Sequence, residues 1–305
     1  MQRFVLRRLT LLLPILFGIS IIVFSLMYFI PGNPVDLILG ENALPQDRAY
    51  LTHLLHLDEP LHKQYVFFVK DLFTGNLRSI HTRQSVWKEI FSRFPATLEL
   101  AVWAMGFALV FALPLGLWAA VKQGTLIDYS AMTLALLGIS MPHFWLGPLL
   151  ILIFAYHLPL FPISGNEGLL SVILPALTLG TALMALLSRL TRTSTLEVLQ
   201  QDYIRTAWAK GLSREKILLK HTLKNALIPV LTIAGIQTGA LLSGAVITET
   251  VFDWPGIGTL LVEAIQSRNY PMVQGCVLVI ACLYVMVNLI TDLMYGLLDP
   301  RIRYS

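Results

Sequence analysis

Six long stretches of the chain are apolar throughout and contain no Asp, Glu, Lys or Arg. They are residues 9–30, 100–121, 129–156, 168–188, 225–248 and 269–291. A helix needs about 20 apolar residues to cross the hydrocarbon core of a bilayer, and each stretch reaches that length. Helices buried in a soluble protein keep a polar face, which these stretches lack. The pattern therefore predicts an all-α polytopic membrane protein with six transmembrane helices.

The composition of the 305 residues supports the same class of protein. Hydrophobic residues make up 56% of the chain and charged residues only 13%. A typical soluble domain carries about 25% charged residues. The first stretch is longer than the roughly 7–15 apolar residues of a secretory signal core, so we expect it to stay in the membrane as an anchor.

The distribution of Lys and Arg predicts the orientation, because positively charged loops resist translocation. If the amino terminus lies in the cytoplasm, 14 of the 22 basic residues lie there too. The segment 31–99, which would then be exported, carries seven basic and eight acidic residues and is nearly neutral. Both termini are therefore predicted to be cytoplasmic.

This orientation divides the chain into three parts. Residues 1–30 form the cytoplasmic amino terminus and first membrane helix, residues 31–99 an extracytoplasmic segment, and residues 100–305 a core of five membrane helices. In the segment 31–99, apolar residues at helical spacing predict two short amphipathic helices at 45–56 and 61–73. Its four histidines lack the i, i+4 spacing of a helical ligand pair, so no metal site is expected.

The core contains a cytoplasmic loop, residues 189–224, with eight basic and three acidic side chains. Residues 196–209 are compatible with a helix. Gly211 suits the left-handed position that follows a helix end. Ser213 suits the N-cap of a second short helix, with Glu215 in its first turn. Two short helices around a glycine corner predict a compact cytoplasmic surface that can dock a partner.

The sequence of this loop resembles the cytoplasmic signature of bacterial ABC importer permeases, most closely the peptide and nickel branch. The matching segments are residues 203–213, Tyr-Ile-Arg-Thr-Ala-Trp-Ala-Lys-Gly-Leu-Ser, and residues 221–229, His-Thr-Leu-Lys-Asn-Ala-Leu-Ile-Pro. The general pattern of the superfamily has Glu-Ala-Ala where this chain has Arg205, Thr206 and Ala207. When this chain is aligned with the pattern on Gly211, the part of the pattern after the glycine also differs. These differences are the ones that the peptide branch shows. Further landmarks similar to the family lie at residues 31–34, 94–100, 248–258, 268–271 and 299–303.

The resemblance implies the partners and cofactors of an ATP-driven importer. In the family, two permeases form the pathway, two ATPases bind the cytoplasmic loops, and an extracytoplasmic protein delivers the ligand. This chain has no Gly-x-x-x-x-Gly-Lys-Ser/Thr phosphate loop, so ATP and magnesium would be bound by the partner ATPases. The chain itself would be a permease without ATPase activity in a bacterial inner membrane. The implied ATPase-coupling residues are Arg205, Thr206, Ala207, Ala209, Lys210, Gly211, Ser213, His221 and Asn225.

Two places are candidates for the pathway or its entrance. His143 lies within the third apolar stretch, where Gly138 and Pro142 permit a kink, and either faces the pathway or bonds a backbone carbonyl in a packed kink. Trp254, Pro255 and Gly256 form a turn that is either a lip at the outer entrance or an ordinary loop with an interfacial tryptophan.

Other functions stay open on the sequence alone. A secondary transporter driven by an ion gradient would favour carboxylates near the middle of the membrane and repeated halves, and we find neither. A purely structural subunit of a membrane complex has the same hydropathy, and the cytoplasmic signature favours the permease. Dipeptides or short oligopeptides are the expected substrates, with nickel chelates and glutathione as alternatives within the same branch.

Overall fold

The computed structural model describes residues 2–29, 35, 39–40, 44–54 and 56–298. Within these residues the backbone forms helices and turns, with one isolated antiparallel bridge between Arg78 and Ser85. Both ends of the chain and the family landmarks at 31–34 and 299–303 lie outside the described residues.

In the described part of the chain, twelve α-helices are labelled in chain order, and two of them continue into π-helical turns. The helices are α1 Gln2–Phe29, α2 Pro45–Leu54, α3 Leu61–Thr74, α4 Val86–Val121, α5 Leu126–Ser140, α6 His143–Leu150, α7 Ile173–Leu199, α8 Asp202–Ala209, α9 Arg214–Lys216, α10 Leu223–Val251, α11 Ile257–Gln266 and α12 Tyr270–Leu298. The π-helical turns are Ile151–His157 after α6 and Ile217–Thr222 after α9. The two helices expected at 45–56 and 61–73 are confirmed as α2 and α3.

Four helical segments of the described chain are long and apolar enough to cross a membrane. They are Val86–Val121, Ile173–Leu199, Arg214–Leu242 and Tyr270–Thr291. The bent pair Leu126–Ser140 and His143–His157 makes a fifth if the two segments together form one span. The described apolar part of α1, Thr10–Ser25, is shorter than the about 20 residues of a full span, so the sixth span stays a prediction.

The third apolar stretch is broken, as the Gly138 and Pro142 positions predicted. α5 and the helix that begins at His143 are bent by 104°. Proline disfavours helical backbone at the residue before it. Met141 accordingly adopts an extended conformation with φ −83° and ψ 119°, which ends α5.

Two helix boundaries differ from the sequence prediction. α4 begins at Val86 instead of residue 100, because Val86 and Ile90 are fully buried and continue the helix upstream of the apolar stretch. The helix expected at 196–209 is interrupted at Gln200 and Gln201. Gln201 has extended backbone, and Asp202 in the first turn of α8 favours a new helix start through its charge.

The chain separates into two compact units, of which the larger comprises residues 96–255 and 284–298 in the described part. Its core is built from small residues of α4 and leucines of α7, together with α10 and Trp254. A Cβ at Gly116 would lie 2.5 Å from the backbone oxygen of Ser188. α4 and α7 therefore touch backbone to backbone, the close approach that small residues allow between membrane helices.

The smaller unit comprises residues 2–95 and 256–283. α3 packs on α1 through Tyr65, whose hydroxyl lies 2.7 Å from Ser20 Oγ and whose ring meets Phe17 and Phe24 edge-on. Asn269 accepts a hydrogen bond from the Ile80 amide at 3.2 Å and donates one to Ser79 Oγ at 2.8 Å. The segment after α3 is thus tied to the start of α12.

Three histidines of this unit have separate partners. His53 Nδ1 lies 3.0 Å from Asp58 Oδ2, and this side-chain hydrogen bond raises the pKa of His53. His56 stacks on Phe67. His81 Nε2 lies 2.7 Å from a backbone oxygen, that of Ser267. Among the described residues, no three His, Cys, Asp or Glu side chains come together as a metal site would require.

Candidate functional site

The segment between α7 and α10, residues 202–222, folds into a compact structure that we call the bracket. On its inner side Ile204, Ala207 and Ile217 are buried. Val198 and Leu199 at the end of α7, and Leu212 in the corner, pack against them. The bracket therefore has its own apolar base and continues directly from a membrane helix.

The corner of the bracket is formed by Gly211. Its φ is +73°, and its amide donates a hydrogen bond to the Trp208 carbonyl oxygen at 2.9 Å. The expected left-handed conformation is confirmed. A Cβ at this position would meet no atom of the chain within 4 Å. Glycine is therefore required here by backbone conformation and not by packing inside the chain.

The second helix of the bracket starts as the sequence predicted. Ser213 occupies the N-cap position with extended backbone, φ −61° and ψ 147°, and Glu215 lies in the first turn. The Ser213 hydroxyl makes no capping hydrogen bond, so the position is held by backbone geometry.

The outer side of α8 carries aromatic and cationic groups. Trp208 and Tyr203 are 48% and 43% exposed. The exposed cations of the bracket are Arg205, Lys210, Arg214, Lys216 and Lys220. Of the two alanines among the implied coupling residues, only Ala209 is exposed. Ala207 is 6% exposed because its methyl group completes the apolar base.

Asn225 connects the bracket to the first turn of α10. Its side-chain amide donates hydrogen bonds to Tyr203 Oη at 2.7 Å and to the His221 carbonyl oxygen at 3.2 Å. Asn225 thereby joins α8, the π-helical turn and α10. Tyr203, a residue of the family signature, supplies the acceptor on α8 for this connection.

A charged pair that the sequence analysis missed lies at the start of α5. Arg192 on α7 donates two hydrogen bonds to Asp128, from Nε to Oδ1 at 2.6 Å and from Nη2 to Oδ2 at 2.7 Å. The Gly124 amide donates a third bond to Oδ2 at 3.0 Å. The carboxylate is almost fully buried, with 4% of its side chain exposed. This forked ion pair joins the α4–α5 turn to the part of α7 that leads into the bracket.

His143 lies at the break in the third apolar stretch. Its Nδ1 is 3.0 Å from the Thr178 carbonyl oxygen, which can only accept, so Nδ1 carries the proton of this bond. The same ring lines a cavity of about 290 Å³ together with Gln237, Leu183 and Leu241. The carbonyl bond expected of a packed kink is therefore present, and a position on the pathway stays a prediction for His143.

Trp254 contradicts the expectation of an interfacial tryptophan. It is fully buried in the core of the larger unit, and its indole N–H donates to the Ala96 carbonyl oxygen at 2.8 Å. Because Ala96 supplies an acceptor inside the protein, the indole N–H is hydrogen-bonded without a position at the membrane interface. Pro255 is partly exposed, and Gly256 is buried as the residue preceding α11.

Glu249 follows the apolar stretch 225–248 directly and lies inside α10. It is fully buried, and Thr97 on α4 donates a hydrogen bond to its Oε1 at 2.7 Å. The Trp254 amide also donates to the Glu249 carbonyl oxygen at 2.8 Å. The Thr97 bond and the indole bond to Ala96 hold the end of α10 and the turn after it against α4.

Comparison of the sequence with models of protein families identifies the family of this chain. Residues 112–304, which include the whole bracket, match the model of the family described as "Binding-protein-dependent transport system inner membrane component". Residues 1–101 match the model of the corresponding N-terminal region. The chain belongs to this family of transport permeases.

Relatives of the permease match it over its full length. The di/tripeptide transport system permease protein DppB of Pseudomonas aeruginosa is 46% identical, and the dipeptide transport system permease protein DppB of Escherichia coli is 43% identical. The glutathione transport system permease protein GsiC of Escherichia coli is 41% identical. In each case the match covers 100% of both chains.

Solved structures show the same fold in more distant proteins. The MetNI methionine ABC transporter in an inward-facing conformation aligns with a TM-score of 0.54 at 19% identity, over 69% of the permease and 96% of that chain. An amino acid ABC transporter aligns with a TM-score of 0.50 at 15% identity. These similarities establish the ABC permease fold.

Proposed function

We propose that this permease is a membrane-spanning subunit of an ATP-driven importer for dipeptides or short oligopeptides. The observation that carries the substrate class is the 43–46% identity, over full length, to permeases named for dipeptide and di/tripeptide transport. Glutathione, itself a short peptide, is a second candidate because the 41% identical relative transports it by name. A nickel chelate is the third candidate, and only the sequence resemblance supports it.

The bracket is proposed as the surface that receives the motion of a partner ATPase. Its apolar base is fixed to α7, and Asn225 fixes it to α10. Its exposed side carries two half-exposed aromatic rings and two arginines, side-chain types that are enriched at protein interfaces, beside three lysines. Arg205, Thr206, Ala209 and Lys210 would contact the ATPase, while Ala207, Gly211 and Ser213 shape the bracket. A displacement of this rigid bracket would move α7 and α10 together and rock the membrane helices.

The partners are proposed from the family. The permease would pair with a second, paralogous permease, two ATPases would bind ATP and magnesium, and an extracytoplasmic protein would deliver the peptide. The chain contains no phosphate-binding loop of its own, which favours hydrolysis by the partner subunits.

Six spans with both termini in the cytoplasm of an inner-membrane protein are part of the proposal. The division into residues 1–30, 31–99 and 100–305 follows from it, with the bracket inside and α2 and α3 outside. Reporter fusions test this orientation. We expect extracytoplasmic signals from fusions after Glu41 and Glu167 and cytoplasmic signals after Lys122, Lys210 and Ser305. A periplasmic signal at Lys210 would contradict the orientation of the bracket.

The pathway is proposed to pass the cavity at His143. With Nδ1 bonded to Thr178, the other ring nitrogen of a neutral histidine remains an acceptor, and the Gln237 amide adds a second polar group to an otherwise apolar wall. Trp254, Pro255 and Gly256 would serve the entrance indirectly. The buried Trp254 holds the shape of the turn without contacting a substrate.

Uptake in a strain that lacks its own peptide importers tests the substrate class. Cells expressing the permease with the products of its neighbouring genes should accumulate a labelled dipeptide. Excess unlabelled dipeptide should suppress this uptake more strongly than glutathione or a nickel chelate. Uptake of nickel without uptake of dipeptide or glutathione would contradict the proposed substrate.

A further inference from the structure

A cleft of about 390 Å³ separates α5 from α7 in the larger unit. Each wall is one face of one helix, because the lining residues recur every three or four positions. The lining residues are Tyr129, Met132, Thr133 and Leu136 of α5 and Arg189, Arg192 and Thr193 of α7. The cleft therefore runs between two helices over about two turns.

The cleft holds one net positive charge among the described side chains. Arg192 is neutralised by its forked pair with Asp128. Arg189 is exposed, and no described carboxylate lies within 4.0 Å of its guanidinium. A guanidinium on an apolar span is costly unless it reaches the interface or meets an anion. Arg189 thus offers a free fork of donors to an acceptor from outside the chain.

The α5 wall of the cleft is largely apolar and largely exposed. Tyr129 and Leu136 are 64% and 55% exposed, and Met132 lies between them on the same face of α5. Arg189 follows Ile173, the first residue of α7, by a rise of about 24 Å. In a hydrocarbon core of about 30 Å this places the guanidinium near one membrane surface, with the apolar wall beside it.

We propose that this cleft binds an anionic phospholipid of the cytoplasmic leaflet, with the lipid phosphate on Arg189 and an acyl chain along Met132 and Leu136. Charge complementarity selects the occupant, because a phosphate satisfies the planar guanidinium and the attached chain covers the apolar wall. Basic clefts between helices on the cytoplasmic side of a membrane are suited to such headgroups. The proposal rests on the cytoplasmic orientation proposed above and goes beyond the transport function. A lipid held here would stabilise the part of α7 that leads into the bracket.

Native mass spectrometry of the complete complex, purified in detergent and titrated with phosphatidylglycerol or phosphatidylcholine, tests the proposal. Arg189→Gln should weaken retention of phosphatidylglycerol about fivefold and leave phosphatidylcholine unchanged. Lys122→Gln, which removes an exposed cation outside the cleft, is the matched control and should have no effect. Thr193→Phe, which fills the cleft without changing its charge, should also reduce retention. If Arg189→Gln does not assemble, Arg189→Lys, which keeps the charge, should retain the lipid while Thr193→Phe loses it.

Three results would overturn the proposal. One is retention of phosphatidylglycerol at the wild-type level in both Arg189→Gln and Thr193→Phe. Another is displacement of the lipid by equimolar inorganic phosphate, which would make the cleft a site for free anions. The third is loss of the second permease from Thr193→Phe with lipid retention unchanged, which would make the cleft a subunit interface. Because lipid retention is measured and not uptake, each of these results leaves the proposed transport function standing.

Discussion

Gly211→Asp should abolish peptide uptake while the permease is still inserted at the normal level. A Cβ at Gly211 meets no atom within 4 Å, so the chain itself accommodates the new side chain. The backbone strain at φ +73° costs only about 1–2 kcal/mol. The added carboxylate projects from the corner next to the exposed face of α8. A large effect must therefore arise at the docked surface, where we expect loss of ATPase association in pull-downs and loss of uptake.

Two alanine variants separate strain from docking in this experiment. Gly211→Ala introduces the same backbone strain without charge and should keep most ATPase association. Gly75→Ala, at the end of α3 in the smaller unit, carries the same strain at φ +73° and has no atom within 4 Å of its Cβ. It should leave association unchanged. Normal uptake and normal ATPase association in Gly211→Asp would remove the bracket from the coupling mechanism.

Arg192→Ala should be the most destabilising single substitution proposed for this permease. It leaves Asp128 buried and without its ion-pair partner, and breaking a buried pair in this way costs about 3–5 kcal/mol. The free energy of unfolding of the detergent-solubilised permease, from a denaturant titration, measures the loss. The pair also fixes the part of α7 that leads into the bracket. We therefore expect Arg192→Ala to reduce the amount of ATPase that assembles with the permease as well.

The matched control is Arg93→Ala. It removes a partly exposed ion pair in which Arg93 Nη2 lies 3.6 Å from Glu263 Oε2. An exposed pair of this kind contributes about 0–1 kcal/mol, so the variant should be nearly neutral. Replacing Asp128 and Arg192 together by alanine should recover part of the loss, since no uncompensated charge then remains. Equal stability of Arg192→Ala and the wild type would show that the forked pair does not hold these helices.

Features that depend on neighbouring residues were predictable from the sequence. The left-handed corner at Gly211 follows from the absence of a Cβ, and the break before His143 follows from the restriction that Pro142 places on Met141. The apolar stretches depend on local hydropathy alone. The family signature located the bracket in the same way, from a short run of residues.

Features that depend on distant contacts were not predictable. Asp128 and Arg192 are 64 residues apart, and no periodicity connects them. The local sequence suggests that Trp254 is an interfacial residue. In the fold, the Ala96 carbonyl oxygen lies next to its indole N–H inside the protein. Glu249 lies just beyond an apolar stretch, yet it is buried and accepts a hydrogen bond from Thr97 of α4. The burial and the partners of these residues depend on tertiary packing, which a local sequence pattern does not contain.

Reconstitution of the purified complex into proteoliposomes tests the central claim most directly. The permease would be purified with the second permease, the ATPases and the binding protein, and entry of a labelled dipeptide would be measured with and without ATP. We predict one copy of each permease per complex, and uptake that requires ATP, the binding protein and both permeases. Full uptake without the second permease, or uptake driven by an ion gradient in the absence of ATP, would contradict the account.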